Sequence, residues 1–291
     1  MKPKLYAYFG HHKCASKWIA DIASGVCRNL GLKFLVANVI TVGNHKLNGH
    51  TMTHDLSSLA HVDFLAYINA IHERVSQLRP LKGFHVIRDP RDICVSAYYS
   101  HLYSHPVVSK DTDYIMAMRE KLKRLSKEEG LLETIRGRRE QFEAMYDWDY
   151  SQPNILEVKF EDFVKDPYEG FIKIFQYLDL LDTTQFSIRN QVSHLFMTIG
   201  TRLHKKTKGL VSFQAKPKRI RTELLLVHVY NHRFSKKAKG RRLGQENSHS
   251  HYRKGTAGDW VNHFRSEHIR FFKENYNDVL IKLGYECDDK W

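Results

Sequence analysis

Cysteine is scarce. The 291-residue chain has four, Cys14, Cys27, Cys94 and Cys287, and none forms a C-x-x-C pair. So few and so scattered, they exclude a disulfide framework, and reduced thiols are expected. Long apolar runs are missing too. Nothing approaches the run of about 20 apolar residues that a membrane span needs. Met1-Lys2-Pro3-Lys4 leads straight into a strand pattern and offers no signal peptide. A soluble, cytoplasmic protein without a membrane partner is the expectation. Zinc-finger spacing, heptads and an aromatic RNA-binding signature are also lacking, so a nucleic-acid partner has no support. No internal repeat or low-complexity stretch divides residues 1–291, and one domain is the simplest count.

Against these absences stand hydrophobic residues at 42%, enough for a sizeable core, and a formal net charge of +14. That charge keeps a protein soluble, and it also attracts polyanions. Strand and helix patterns alternate through about the first hundred residues, which predicts a parallel sheet with helices on both faces. Predicted strands are Leu5–Phe9, Lys33–Asn38, Asp63–Asn69, Phe84–Arg88 and Asn154–Lys159. Predicted helices are Lys17–Leu30, Ala70–Leu78, Pro90 to about Tyr103, Pro167–Leu180, Thr184–Ile199, Thr222–Phe234 and Ser266–Leu283. Residues 111–148 read as helical with a break near Gly130, and Ser235–Ser250 reads as a mobile loop.

Two stretches carry the chemistry. The first is Phe9-Gly10-His11-His12-Lys13-Cys14-Ala15-Ser16-Lys17-Trp18, a strand end, a basic turn and a helix start. Backbone N–H groups and one lysine converge there, as a phosphate or sulfate receptor requires. It is not the nucleotide triphosphatase loop G-x-x-x-x-G-K-[ST]. Counted from Gly10, Ala15 takes the second glycine position, Ser16 the lysine and Lys17 the hydroxyl. The lysine that fits is Lys13, with no hydroxyl after it to hold magnesium. In the second stretch Arg88 ends a buried strand, Asp89-Pro90 starts a helix, and Ser96 follows two turns later. Ligands of open parallel sheets bind beyond such strand ends. Two cationic edges suit a ligand with two anionic groups.

At these residues the chain resembles the PAPS-dependent sulfotransferases. Lys13-Cys14-Ala15-Ser16-Lys17-Trp18 is similar to their 5′-phosphosulfate loop, K-S-G-T-T-W. Arg88-Asp89-Pro90-Arg91-Asp92 through Ser96 is similar to their 3′-phosphate motif. Ile155–Asp162 resembles their strand ending in Y-E-D. Tyr252–Phe264 resembles their R-K-G-x-x-G-D-W-K-N-x-F signature. The four motifs run in family order along nearly the whole chain.

The resemblance implies a three-layer α/β/α fold around a central parallel sheet, with a phosphate-loop-like 5′-phosphosulfate site. It implies PAPS as co-substrate and metal-free sulfuryl transfer to a hydroxyl or amine of a small-molecule or carbohydrate-like acceptor. Lys13 would stabilise the leaving oxygen. The loop residues Cys14, Ala15, Ser16 and Lys17 would hold the 5′-phosphate and sulfonate. Trp18 would stack on adenine or serve as a core aromatic. Arg88, Ser96, Arg253, Lys254 and Gly255 would grip the 3′-phosphate, while Glu161-Asp162 reads as structural.

Three departures stand out. Ala15 replaces a glycine, which suggests no left-handed backbone there. Lys17 replaces a threonine, and Val261 replaces a lysine. The general base is open among His54, His72, Asp55 and His101. His249 and His251 are spaced for a metal but lack a third ligand, and none is expected. Acceptor loops are expected within Val39–Val62 and Tyr103–Asp113, with Ser235–Ser250 as a lid. A magnesium-dependent phosphotransferase and a non-catalytic polyanion binder are the alternative functions. Nothing in the sequence defines the oligomeric state.

Overall fold

Alternation along the first strand decides the architecture. In β1 (Leu5–Gly10), Leu5, Ala7 and Phe9 point to one face of the sheet and Tyr8 to the other. The computed structural model describes residues 5–42, 52–106, 112–183 and 217–291. Within them β1 pairs in parallel with Phe64–Tyr67 and with Leu81–Ile87, and lies at the centre of a five-stranded sheet. In chain order the strands are β1, β2 (Phe34–Ala37), β3 (Val39–Thr41), β4 (Thr53–Asp55), β5 (Phe64–Tyr67), β6 (Leu81–Ile87), β7 (Ile155–Lys159) and the short parallel pair β8 (Leu181–Asp182) and β9 (Ile220–Arg221). The sheet runs β2-β5-β1-β6-β7, every pairing parallel.

On one face Tyr8, Phe64, Ala66, Phe84 and Val86 pack against α1 (Ser16–Leu30), Pro167–Tyr177 and Thr222–Asn231. On the other, Leu5, Ala7, Phe9, Leu65 and Tyr67 close over Trp148 and the turn Leu56–His61. The three-layer α/β/α expectation therefore holds. After β1 the chain moves to the β5 side of the sheet, and after β6 to the β7 side. The crevice between their ends is the switch point where ligands bind. Gly10 ends one of these strands and Arg88 follows the other.

Several element boundaries differ from the sequence reading. The helical stretch after residue 111 is three helices, Thr112–Lys123, Lys127–Arg136 and Arg139–Tyr146. Gly130 is not a break but lies inside the middle one, because the Tyr98 ring fills its side-chain position, 2.9 Å from where a Cβ would stand. The breaks come where Ser126 and Glu129 form a capping box and where Gly137 ends the helix. The helix after Pro90 ends at Tyr99 and continues as one wide π turn, Ser100–Ser104. The predicted helix over 70–78 shortens to His72–Val75, β6 begins early at Leu81, and Phe160–Lys165 forms an unforeseen short helix. The expected loop Val39–Val62 contains the β3–β4 pair. Ser235–Ser250 begins inside the helical turn Phe234–Lys237, and Arg241 ties it down through the carbonyls of Gln245, Tyr252 and Arg253. The expected helix Thr184–Ile199 lies outside the described residues, as do positions 43–51 and 107–111 of the expected acceptor loops.

Candidate active site

The turn after β1 reverses sharply through left-handed backbone at two non-glycine residues, Lys13 (φ 66°) and Ala15 (φ 61°). The expectation that Ala15 avoids positive φ is thus corrected. That conformation costs about 1–2 kcal/mol per residue, and here the Cys14 N–H bond to the His11 carbonyl (3.1 Å) closes the turn. Ala15 caps α1 without a side-chain hydrogen bond, and the first turn holds no acidic residue. The opening N–H groups of α1 therefore lack a side-chain cap and present positive charge to an anion. Ser16 Oγ is set beside them by Tyr8, whose hydroxyl donates to it at 3.0 Å.

Lys13 sits within this turn, half-buried. Among the described residues no acceptor lies within hydrogen-bond distance of its ammonium group. Burial, then the neighbouring Arg88, Arg138 and Arg253, push its pKa down to about 7. A cluster of cations with no carboxylate against its central lysine is a site prepared for an anion.

Arg88 Nη1 donates to the Lys13 carbonyl (3.1 Å), its Nη2 reaches Asp92 (3.5 Å), and its guanidinium lies 4.5 Å from the Phe160 ring centre. Asp92 also accepts the N–H groups of Gly258 (2.8 Å) and Trp260 (2.9 Å). One carboxylate thereby joins the Arg88 motif to the C-terminal signature. In that signature Arg253 pairs with Glu246 and Asp259, both at 2.6 Å, and Lys254 with Asp259 at 2.5 Å. These partners hold Asp259 well below the usual carboxylate range against its burial. Gly255 has φ +74°, and a Cβ there would meet the Phe234 ring at 2.5 Å, so glycine is required. Ser96 stands half-buried on Pro90–Tyr99, and Val261 is exposed. Glu161 accepts from the Asp89 N–H (3.0 Å) and the Tyr285 hydroxyl (2.7 Å), a structural arrangement.

Two loop neighbours are placed differently from expectation. Lys17 is turned outward, its side chain 65% exposed, and pairs with Asp21 at 3.2 Å. It sits one step along the helix from Ser16 and so faces away from the turn. The Cys14 N–H is already taken by His11. Trp18 packs on Phe163 (5.1 Å) and Phe171 (5.4 Å), with its indole N–H buried and unpartnered.

Five histidines form two groups near the turn, and the sequence reading had singled out only His101 among them. His11 and His85 meet through their Nε2 atoms at 2.9 Å. His85 Nδ1 lies 2.7 Å from Glu157, which also accepts the Trp148 indole N–H at 2.9 Å. Burial pushes His85 down to about 3 and Glu157 up to about 8, so both are neutral near pH 7. The second group is His12, His101 and His105. His12 Nδ1 accepts from Arg138 (3.1 Å), and the His12 carbonyl accepts from Gln141 (2.8 Å). His101 stacks 5.7 Å from His12, and burial with nearby cations lowers it to about 3. Ring nitrogens of the three lie within 4.8 Å of one another. That spacing would suit a metal, but Lys13 and Arg138 beside them repel a divalent cation and favour an anion.

Of the proposed bases, His101 stacks on His12, the residue before Lys13. His54 pairs with Ile40 on the β3–β4 ribbon, and His72 packs edge-on to Trp148 at 5.9 Å. His249 lies 4.1 Å from the Tyr103 ring centre. Arg138 carried no local signal, and Asp92 and Glu157, though inside quoted motifs, were not singled out, since each acts on a distant segment. His11 and His12 were visible inside the loop motif but not singled out.

Residues 71–284 match the sulfotransferase domain family, a span that begins after the Lys13 turn. No curated protein sequence matches the chain. Among solved structures, retinol dehydratase in complex with retinol and PAP is similar at a TM-score of 0.50. Its identity is 14%, and the likeness covers 96% of this chain and 82% of that one. A mouse sulfotransferase complexed with PAP is similar at a TM-score of 0.48 and 13% identity, over 96% of this chain and 84% of its own. No helix among the described residues is long and apolar enough to cross a membrane. Because residues 71–284, well over half of the chain, match this domain, the chain belongs to the sulfotransferase family.

Proposed function

We propose that the protein moves a sulfuryl group from PAPS to a hydroxyl or amine of a small-molecule or carbohydrate-like acceptor, as a single cytoplasmic domain and without a catalytic metal. One observation carries this reading. Among the described residues the Lys13 ammonium group has no acceptor of its own, and Arg88 and Arg138 hold the turn around it at the switch point between β1 and β6. The 5′-phosphosulfate takes Lys13, Ser16 and the opening N–H groups of α1. Arg88, Ser96, Arg253, Lys254 and the backbone at Gly255 take the 3′-phosphate. Trp18, packed on Phe163 and Phe171, keeps a half-buried ring that adenine stacks on. The retinol dehydratase structure, which shares the fold, holds PAP, the nucleotide left when PAPS loses its sulfuryl group.

In the reaction the acceptor oxygen or nitrogen attacks sulfur. The bond from sulfur to the bridging oxygen breaks, and its electron pair stays on the 5′-phosphate oxygen, where Lys13 stabilises it. The acceptor proton passes to a base. His54, His72 and His101 are the candidates, and His101 stacks on His12 of the same turn. An anion bound at Lys13 would offset the cations that hold His101 low and so raise its basicity.

Thermal shift with PAP, set against ATP plus magnesium, tests the donor reading. Stabilisation by PAP supports it, and stabilisation by ATP plus magnesium alone overturns it. Transfer from labelled PAPS across an acceptor panel, with excess EDTA present, tests reaction and metal together. Replacing His101, His54 and His72 singly by alanine identifies the base as the variant that loses the rise of rate with pH while keeping PAP affinity.

A further inference from the structure

Arg138 occupies the turn between Lys127–Arg136 and Arg139–Tyr146 and is only 8% exposed. Its Nη1 donates to His12, its Nε–H is buried with no acceptor, and among the described residues no carboxylate pairs with it. The other arginines of the site differ. Arg88 has Asp92, Arg91 has Asp89 and Glu286, and Arg253 has Glu246 and Asp259. A buried guanidinium without a counter-charge is costly and invites an anion. Its partner His12 immediately precedes Lys13, so the 3.1 Å contact places Arg138 against the same turn. Gln141, from the same helix start, holds the His12 carbonyl and fixes Arg138 relative to the turn.

Charge matching assigns the missing anion. The 5′ end of PAPS carries one negative charge on phosphate and one on sulfonate. Among the described residues, Lys13 and Arg138 stand at the turn with no carboxylate paired to either. The 3′-phosphate has its own cations around Asp92 and Asp259. Resting on the donor reading above, we propose that Arg138 is a catalytic residue that binds the sulfonate oxygens and stays with the sulfuryl group through transfer. Its planar fork spans two of the three oxygens that keep their charge while the bridging S–O bond breaks and the acceptor bond forms. The neutral imidazoles of His12 and His101 complete that side of the site.

PAP lacks the sulfonate, and this provides the test. Calorimetric titration of PAP, and of PAPS without acceptor, is made on the wild type, Arg138→Ala, Arg138→Lys and His12→Ala, with turnover measured in parallel. In Arg138→Ala, PAP affinity should stay within about two-fold, while affinity for PAPS and turnover each fall about 10- to 100-fold. Arg138→Lys restores charge without the fork, so it should recover part of both, and it carries the test if the alanine variant fails to fold. An unchanged preference for PAPS over PAP, with unchanged turnover, overturns the assignment. Equal loss of PAP and PAPS, reproduced by His12→Ala, also overturns it, because Arg138 would then only hold the turn. A wild type that binds neither nucleotide sinks the donor reading instead, and the sulfonate role with it.

Discussion

Arg88 Nη1 donates to the carbonyl oxygen of Lys13 across 3.1 Å, so the residue after β6 holds the turn that ends β1. Two motifs 75 positions apart are thereby one site. Arg88→Ala should weaken PAP about 10- to 100-fold, the value of a charge-assisted hydrogen bond. Adenosine 5′-phosphate should weaken less, through the loosened turn alone. Titration of both ligands decides, and equal losses would leave Arg88 a support of the turn and not a 3′-phosphate ligand.

Lys13→Ala should cut turnover about 10²- to 10³-fold by removing the charge that meets the leaving oxygen. Circular dichroism and the melting curve should match the wild type. Near-normal turnover would remove Lys13 from the chemistry.

Proton linkage offers a second view of the same lysine. Its pKa near 7 leaves it mostly neutral at pH 8 in the free protein. A bound anion raises that pKa, so PAP binding at pH 8 should take up nearly one proton, falling toward none at pH 6. Calorimetry in buffers of different ionisation heat measures the uptake. The Lys13→Ala variant should show none of it, and uptake that persists there belongs to another group.

Glu157 should govern part of the pH dependence of stability. Burial raises it from 4.5 to about 8, so the folded protein retains a proton that the unfolded chain releases within that interval. Its contribution is therefore full below about pH 4.5 and is lost as pH rises toward 8. Glu157→Gln keeps an acceptor for Trp148 and a donor for His85 but cannot ionise. At pH 8 the variant should melt higher, by on the order of 2–4 °C for each kcal/mol recovered. The two proteins should converge near pH 4.5. Parallel melting curves across that range would exclude Glu157 as the source.

Asp92→Ala should cost about 1–3 kcal/mol for each N–H left unpaired at Gly258 and Trp260. Denaturant unfolding measures that loss. Because the C-terminal signature then detaches from Arg88, PAP affinity should fall with it, and an unchanged affinity would mean the signature holds its place by other contacts.

The groups proposed to hold the donor could be named from the sequence wherever they lie in one short segment. Lys13, Ser16, Arg88 and Arg253 through Gly255 each belong to a strand end, a turn or a helix start whose residues follow one another in the chain. Lys17 was misjudged for a local reason. One step of 100° around α1 takes its side chain from the turn to Asp21, and spacing alone does not say where a helix begins its rotation. Ala15 was misjudged because composition reports the cost of a left-handed alanine but not the closure that sustains it.

Sequence by itself determined the alternation that makes a parallel sheet, the two cationic strand ends and the family. Those properties rest on hydrophobic period and on contiguous motifs, which survive without knowledge of the fold. Only tertiary structure decided that Arg138 reaches His12 from 126 positions away, that Asp92 clasps Gly258 and Trp260, and that His11, His85 and Glu157 form one hydrogen-bonded chain. Such contacts depend on how strands order and helices pack. A buried polar group finds its partner across space, and its neighbours in sequence carry no trace of it.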